Sequence, residues 1–267
     1  MSLARFYLSP ERWTEGDACL QGEEARHCAQ VLRHGVGDTV IVFDGKGRTA
    51  KATIRKAEAK RIDLQLGEHE ESAPPSVWVT LVQAIPKGSN MDLIIEKAVE
   101  LGINEILPIF TARTIVRIDT AESSKKQQKW QRIALEACKQ CGQDWLPAVH
   151  APTPFQDMLK LSDPRTLRLI AALLPEARSL KSILATHQPS QSEIKKVSLS
   201  IGPEGDFTAA EYALALEQGF LPLNLGKNIL RVETAAMFGL SIIQHELRPI
   251  DEFVCKSSGD DLPELGH

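Results

Sequence analysis

The stretch Lys196–Glu211, KVSLSIGPEGDFTAAE, decides the fold. KVSLSI reads as a buried strand, and it runs into Gly202-Pro203-Glu204-Gly205. Thr208 and Glu211 then spell the S/T-x-x-E capping box that opens a helix. Glycines at both ends of the loop let backbone groups approach a ligand with no Cβ in the way. A plain strand-to-helix turn accounts for the glycines and the cap, but it does not call for Glu204 between them.

Downstream, LPLNLGKNILRVETAAMFGLSII repeats the theme: a strand ends at Leu225-Gly226, a short segment ends at Leu230-Arg231, and a helix follows that is apolar on nearly every side from Ala235 to Ile243. Such a helix is expected inside the domain or in an oligomer interface. Arg231 and Glu233 beside it are costly to bury unpaired, so they either satisfy each other or face a site, and mutual pairing is the simpler account. Upstream, VWVTLVQAI is a continuous apolar run suited to a parallel strand, and Met91, Ile94, Ile95, Ala98 and Val99 follow at helical spacing. A second helical stripe holds Trp130, Ile133, Ala134, Ala137, Cys138 and Cys141, and EILPIF and TLRLIAALL add strands. The alternation predicts an α/β domain with a parallel sheet, whose ligands sit at the carboxyl ends of the strands.

Before this domain the pattern differs. TVIVFD and TAKATIRKA flank the turn Asp44-Gly45-Lys46-Gly47 as a hairpin would, RIDLQL alternates, and one helix is expected over about residues 23–33. Short strands plus one helix suggest a small β-barrel. EHEESAPPS, Glu68–Ser76, carries acids into consecutive prolines and reads as a linker. The expected domains are therefore 1–73, 77–249 and an acidic tail, 250–267.

The 267 residues are 43% hydrophobic and 25% charged, the balance of an ordinary globular protein. No run of about 18 uncharged apolar residues occurs, and Arg5 and Glu11 stand where a signal peptide needs apolar residues, so the expectation is a cytoplasmic protein with no membrane contact. Cys19, Cys28, Cys138, Cys141 and Cys255 are odd in number and irregularly spaced, which argues against a disulfide framework. Cys138-x-x-Cys141 lacks a second pair and sits late in a helix, so core packing is favoured over a metal site, and no metal is expected. The net charge of -4 points to no polyanion, but Arg113, Arg117, Lys125, Lys126, Lys129 and Arg132 face only Asp119 and Glu122 locally. Taken alone, that cluster reads as a solvated helix face. Neither G-x-G-x-x-G, a P-loop nor G-x-S-x-G occurs, which weakens dinucleotide, nucleoside triphosphate and serine hydrolase readings.

Five segments carry a resemblance. HCAQVLRHGVGDTVIVFDGKG, KGSNMDLIIEKAVELGINEILPIFTART, KWQRIALEACKQCGQ, IGPEGDFTAAE and LGKNILRVETAA resemble, in this order, the bacterial small-subunit ribosomal RNA (uracil-N(3)) methyltransferases of the SPOUT superfamily, over about residues 5 to 247. The resemblance implies a PUA-like RNA-binding barrel, an α/β domain with a deep trefoil knot, S-adenosylmethionine as methyl donor, and a homodimer acting on small-subunit ribosomal RNA, expected in the assembled subunit. It implies a cofactor pocket of Leu173, Leu174, Ile201, Gly202, Glu204, Gly205, Leu225, Gly226, Ile229, Leu230 and Arg231. A sulfonium cation with an adenine face wants apolar walls, open backbone groups and a nearby carboxylate, which these residue types supply.

For the reaction, Arg231 is the candidate for stabilising charge on a uracil oxygen, and Glu204 or Glu233 for accepting the ring proton. Arg5, Arg33 and Arg113 are the candidates for RNA contact. Two residues depart from the family pattern. Asp206 stands where a second glycine is common and is expected to cap the helix beside Thr208, or, pointing inward, to tune cofactor affinity. Gln143 stands where arginine is common, which removes any phosphate or cross-subunit contact that arginine would make. The alternatives are a SPOUT methyltransferase for a ribose 2'-hydroxyl or another base, and a catalytically silent RNA-binding SPOUT protein.

Overall fold

The computed structural model of the chain describes residues 3–14, 16–115, 120–160, 163, 165–186 and 194–249. The acidic tail with Cys255, and also Arg117 and Asp119, lie outside the described residues. The N-terminal unit is a five-stranded sheet of β1 (Arg5–Tyr7), β2 (Asp17–Gln21), β3 (Thr39–Phe43), β4 (Arg48–Glu58) and β5 (Arg61–Glu71), in the order β1-β3-β4-β5-β2. It wraps one apolar cluster that includes Phe6, Leu20, Cys28, Val42, Ile54 and Leu64. The expected hairpin forms, with β3 antiparallel to β4. The expected helix is shorter: α1 (Gly22–Arg26) widens into a π-type turn over His27–Val31, and the chain leaves it through Arg33 at φ 58. The acidic run Glu68–Glu71 is strand rather than linker, because β5 stays paired with β4 out to Glu71 opposite Arg48.

The second unit is an all-parallel sheet of β6 (Trp78–Ala84), β7 (Glu105–Phe110), β8 (Ala148–Val149), β9 (Thr153–Pro154), β10 (Leu167–Ala171), β11 (Lys196–Ile201) and β12 (Leu221–Leu223). Its order is β12-β10-β11-β6-β7-β8, with β9 also on β7. The helices are α2 (Asn90–Glu100), α3 (Thr120–Cys141), α4 (Phe155–Lys160), α5 (Leu180–Thr186), α6 (Ala209–Glu217) and α7 (Val232–Leu247). The central strands β6 and β11 have almost every residue from Val79 and Val197 onward buried, as strands covered on both faces must. The short β8, β9 and α4 leave too few residues for a periodic signal.

Helix α7 packs across the sheet. It presses one face onto the sheet so closely that a Cβ added at Gly239 would stand 2.6 Å from Leu199 Cδ2. Its other face is open in the single chain, with Thr234, Ser241 and His245 exposed and Phe238 46% exposed. Cys138 is fully buried in the main core, where burial pushes its thiol far up, whereas Cys141 is exposed and leaves the stripe. Among the described residues no helix is long and apolar enough to cross a membrane.

The two units are fastened together by the end of α3 and the turn after it. The Leu146 amide donates to the Gly45 carbonyl at 3.0 Å, and the Gly47 amide donates to the Asp144 carbonyl at 3.2 Å. Arg5 of β1 pairs with Asp144 at 2.7 Å, and Lys139 of α3 pairs with Glu24 of α1 at 2.9 Å.

Candidate active site

Three neighbouring strands, β12, β10 and β11, end side by side, and the loops leaving them enclose a cleft of about 640 Å³. That size and position suit a small-molecule ligand at the carboxyl edge of a parallel sheet. Each loop has its own device. After β11, the Asp206 amide donates to the Pro203 carbonyl at 2.9 Å to close a turn, and the Thr208–Glu211 capping box opens α6 with both of its reciprocal bonds present. Glu211 does more than cap, since it also accepts from the Ala112 amide at 2.7 Å and so ties α6 to the segment after β7. After β12, Asn224 Oδ1 accepts from the Gly226 amide at 2.7 Å, and Gly226 takes φ 110, which only glycine adopts without strain. After β10, the chain turns at once, with the Ala177 amide donating to the Leu174 carbonyl at 3.0 Å.

Ten of the eleven expected cofactor positions line this cleft: Leu173, Ile201, Gly202, Glu204, Gly205, Leu225, Gly226, Ile229, Leu230 and Arg231. Leu174 does not. Because β10 ends at Ala171, Leu174 falls in the following turn and packs against the cluster of Phe155, Phe207 and Phe220. Leu173 and Ile229 are 63% and 86% exposed, large apolar groups left open at the mouth. The cleft also takes in Asn90, Ala172, Asp206 and Glu233, of which Glu233 was expected to do chemistry and Asp206 was expected to cap a helix or, pointing inward, to tune cofactor affinity. Asn90 lies in the resembling segment that starts at Lys87 but was given no role there; its place in the cleft depends on α2 beginning beside the β11 loop.

The polar groups are arranged as follows. The Lys87 amide donates to Glu204 Oε1 at 2.9 Å and fixes that carboxylate on the rim. Asn90 Nδ2 lies 3.5 Å from Glu233 Oε2, in the first turn of α7. Arg231 is the N-cap residue of α7, and no ion pair joins it to Glu204, Glu233 or any other acid among the described residues. This corrects the simpler sequence account, mutual pairing of Arg231 with Glu233. A cation at the positive end of a helix dipole gains nothing from the helix, so its placement is explained by the cleft it lines. Asp206 does not cap α6. Its Oδ1 accepts from the Phe207 amide and from the Tyr212 hydroxyl, both at 2.8 Å.

The candidate RNA residues separate. Arg33 is exposed on the N-terminal unit. Arg113 reaches over the cleft loop and donates from Nη1 to the Gly205 carbonyl at 2.5 Å. Arg5 is mostly enclosed at the domain junction, paired with Asp144 and stacked 4.9 Å from the Phe43 ring centroid, so it has no open face for phosphate. Gln143 is also internal, donating to the Trp145 carbonyl at 2.8 Å and the Ile103 carbonyl at 3.2 Å. In the basic cluster, Lys129 pairs with Asp92 and Arg132 with Glu23, acids from other elements, and Lys126 pairs with the local Glu122. Among the described residues no group of three or more metal-ligating side chains forms.

A model of the RNA methyltransferase domain matches residues 73–244, and a model of the RNA methyltransferase PUA domain matches residues 20–67. A relative from Synechocystis, ribosomal RNA small subunit methyltransferase E, is 35% identical over 240 residues, which is 90% of this chain and 76% of the relative. The chain belongs to the ribosomal RNA small subunit methyltransferase E family. The family member from Bacillus subtilis is 29% identical over 85% of this chain and 89% of its own length. Among solved structures, the family member from Neisseria gonorrhoeae bound to S-adenosyl methionine superposes with a TM-score of 0.81 at 31% identity, covering 91% of this chain and 98% of that one. A methyltransferase from Legionella pneumophila, solved with bound cofactor, gives 0.83 at 31% identity, covering 92% and 98%. The two family models thus fall one on each unit.

Proposed function

We propose that the chain transfers a methyl group from S-adenosylmethionine to ring nitrogen 3 of a uridine in small-subunit ribosomal RNA, in the assembled subunit. One observation carries this reading: the cleft of this methyltransferase family member is apolar in its walls and carries Glu204, Asp206 and Glu233 against a single guanidinium, Arg231. That donor set fits a cation with a flat apolar face and fits a phosphate-rich nucleotide poorly. Leu173, Ile201, Leu225, Ile229 and Leu230 would hold the adenosyl part, with Gly202 and Gly226 leaving backbone groups open to it. When bound, the cofactor supplies an electrophilic methyl group.

The chain's own residues do the rest. Uracil nitrogen 3 carries a proton between two carbonyls, so its nucleophilicity rises as that proton leaves and negative charge spreads to the oxygens. Arg231, unpaired at the mouth of the cleft, is placed to stabilise that charge. Glu204, held by the Lys87 amide, and Glu233, beside Asn90, are the carboxylates within the cleft that can take the proton. Leu173 and Ile229 exclude water from a base drawn out of its stack into the pocket. Arg33 and Arg113 serve as RNA contacts, and Arg5 is left out of that set.

The same reading includes domains at 1–73 and 77–249, a deep trefoil knot in the C-terminal α/β domain, and a cytoplasmic homodimer. The open side of α7 supports the dimer by leaving Phe238, 46% exposed, among Thr234, Ser241 and His245 for a second copy to cover. Light scattering at micromolar concentration tests it, with a dimer expected and a monomer contradicting it. The reaction is tested by methyl transfer to subunits lacking the modification, as described at the close of the Discussion.

A further inference from the structure

Asp206 has an unusual backbone for its side chain. It takes φ 62, and among the described residues only Arg33 is another non-glycine residue at positive φ. An L side chain in that region is strained, and a glycine would close the Asp206-to-Pro203 turn without the strain. Strain kept at a cleft is a reason to look for work done by the side chain.

The carboxylate is clamped rather than loose. Oδ1 receives the Phe207 amide and, at 2.8 Å, the one proton of the Tyr212 hydroxyl, whose oxygen also lies 3.1 Å from the Ala171 carbonyl oxygen at the end of β10. Burial, then the Asp206 carboxylate, pushes the Tyr212 pKa up, so the phenol remains a donor. Oδ1 would also stand 3.1 Å from a Cβ at Gly202, so the missing side chain there lets the carboxylate fold back against the β11 end of the cleft. Oδ2 has no protein partner among the described residues, and Asp206 lines the cleft.

We propose that Asp206 is a specificity residue that favours the charged methyl donor over the uncharged product left after transfer. The inference rests on the cofactor reading above. S-adenosylmethionine carries a sulfonium, an ammonium and one carboxylate, a net charge of about +1, and its attraction to a fixed carboxylate follows from Coulomb's law. When the methyl group leaves, the electron pair of the broken C–S bond returns to sulfur, and S-adenosylhomocysteine is neutral overall. A clamped carboxylate loses little orientation on binding, so it discriminates by charge more sharply than a mobile one. The spent cofactor is then held less tightly than the fresh one, which helps turnover.

Calorimetric titration of the full-length chain with S-adenosylmethionine, and separately with S-adenosylhomocysteine, tests this. The unmodified protein is expected to prefer the methyl donor. Asp206→Asn is expected to reduce that preference by about tenfold, the scale of one charge contact in a partly solvated cleft. Asp206→Gly, at a φ of 62 that glycine tolerates, is expected to reduce it equally. An unchanged preference in both variants, or no preference in the unmodified protein, overturns the proposal. If the unmodified protein binds neither ligand, the cofactor reading itself fails and takes the proposal with it.

Discussion

Arg5 resembles an RNA contact in the sequence and a domain fastener in the structure, and the two roles predict different variants. Its guanidinium meets Asp144 at 2.7 Å with side chains 14% and 19% exposed, and it stacks on Phe43. Arg5→Ala therefore strands a mostly enclosed carboxylate. Breaking a fully buried pair costs about 3–5 kcal/mol, but partial exposure lets water reach Asp144, so about 2 kcal/mol is expected from the pair. The lost stacking adds roughly 0.5–1 kcal/mol. Together this is about 2–3 kcal/mol, a fall in melting temperature of about 4–10 °C for a protein of this size. Urea unfolding of Arg5→Ala, Asp144→Ala and the double variant measures it: the singles should cost similar amounts, and the double should cost much less than their sum. Binding to small-subunit RNA should keep its salt dependence. A melting temperature within about 1 °C of the unmodified protein, with the salt slope lowered by about one, would refute the fastening role.

Other outcomes follow from the same geometry. Gly47 takes φ 97, and a Cβ there would stand 2.7 Å from the Ser72 carbonyl oxygen and 2.8 Å from the Trp145 ring. Gly47→Ala should therefore cost about 2–4 kcal/mol by chemical denaturation, and a cost under about 1 kcal/mol would be inconsistent with that packing. His150 and Glu105 meet at 2.6 Å, and this bond raises the His150 pKa from 6.5 and lowers the Glu105 pKa from 4.5. The histidine contribution is complete below 6.5 and is lost as pH rises through its raised value, whereas the glutamate contribution is present above 4.5 and is lost as pH falls through its lowered value. The pair is half open to water, so melting curves should show a loss of only about 0.5 kcal/mol on the alkaline side, absent in His150→Gln. Arg231→Ala should lower the methylation rate constant by about 10²–10³ while cofactor affinity changes by less than about tenfold; the reverse pattern would make Arg231 a binding residue only.

Local signals made most of the site legible. The capping box at Thr208 and Glu211, the glycine-flanked Glu204 and the strand end at Ile201 are short-range features and lie where their own segment implied, whereas β12 ends at Leu223 rather than at the expected Leu225. What sequence missed depends on how distant segments meet. Asn90 reaches the cleft because α2 starts beside the β11 loop, and Arg5 is enclosed because the turn after α3 crosses β1. Helix α7 was expected inside the domain or in an oligomer interface; the sheet covers one of its faces, and the other is open in the single chain. Leu174 was displaced by a boundary, since the apolar run TLRLIAALL continues beyond the last paired residue of β10.

Domain fastening also bears on function. Lys139, with only 7% of its side chain exposed, is held between Glu24 and Glu136, and the Asp44–Gly47 turn bonds to the segment after α3. These contacts fix the N-terminal unit relative to the cleft on the other unit.

The most direct measurement is transfer of labelled methyl from S-adenosylmethionine to small ribosomal subunits lacking the modification, followed by digestion and nucleoside analysis. The account predicts 3-methyluridine as the labelled product, formed faster on assembled subunits than on free RNA. A different methylated nucleoside, or no product from a protein that binds the cofactor, would contradict it.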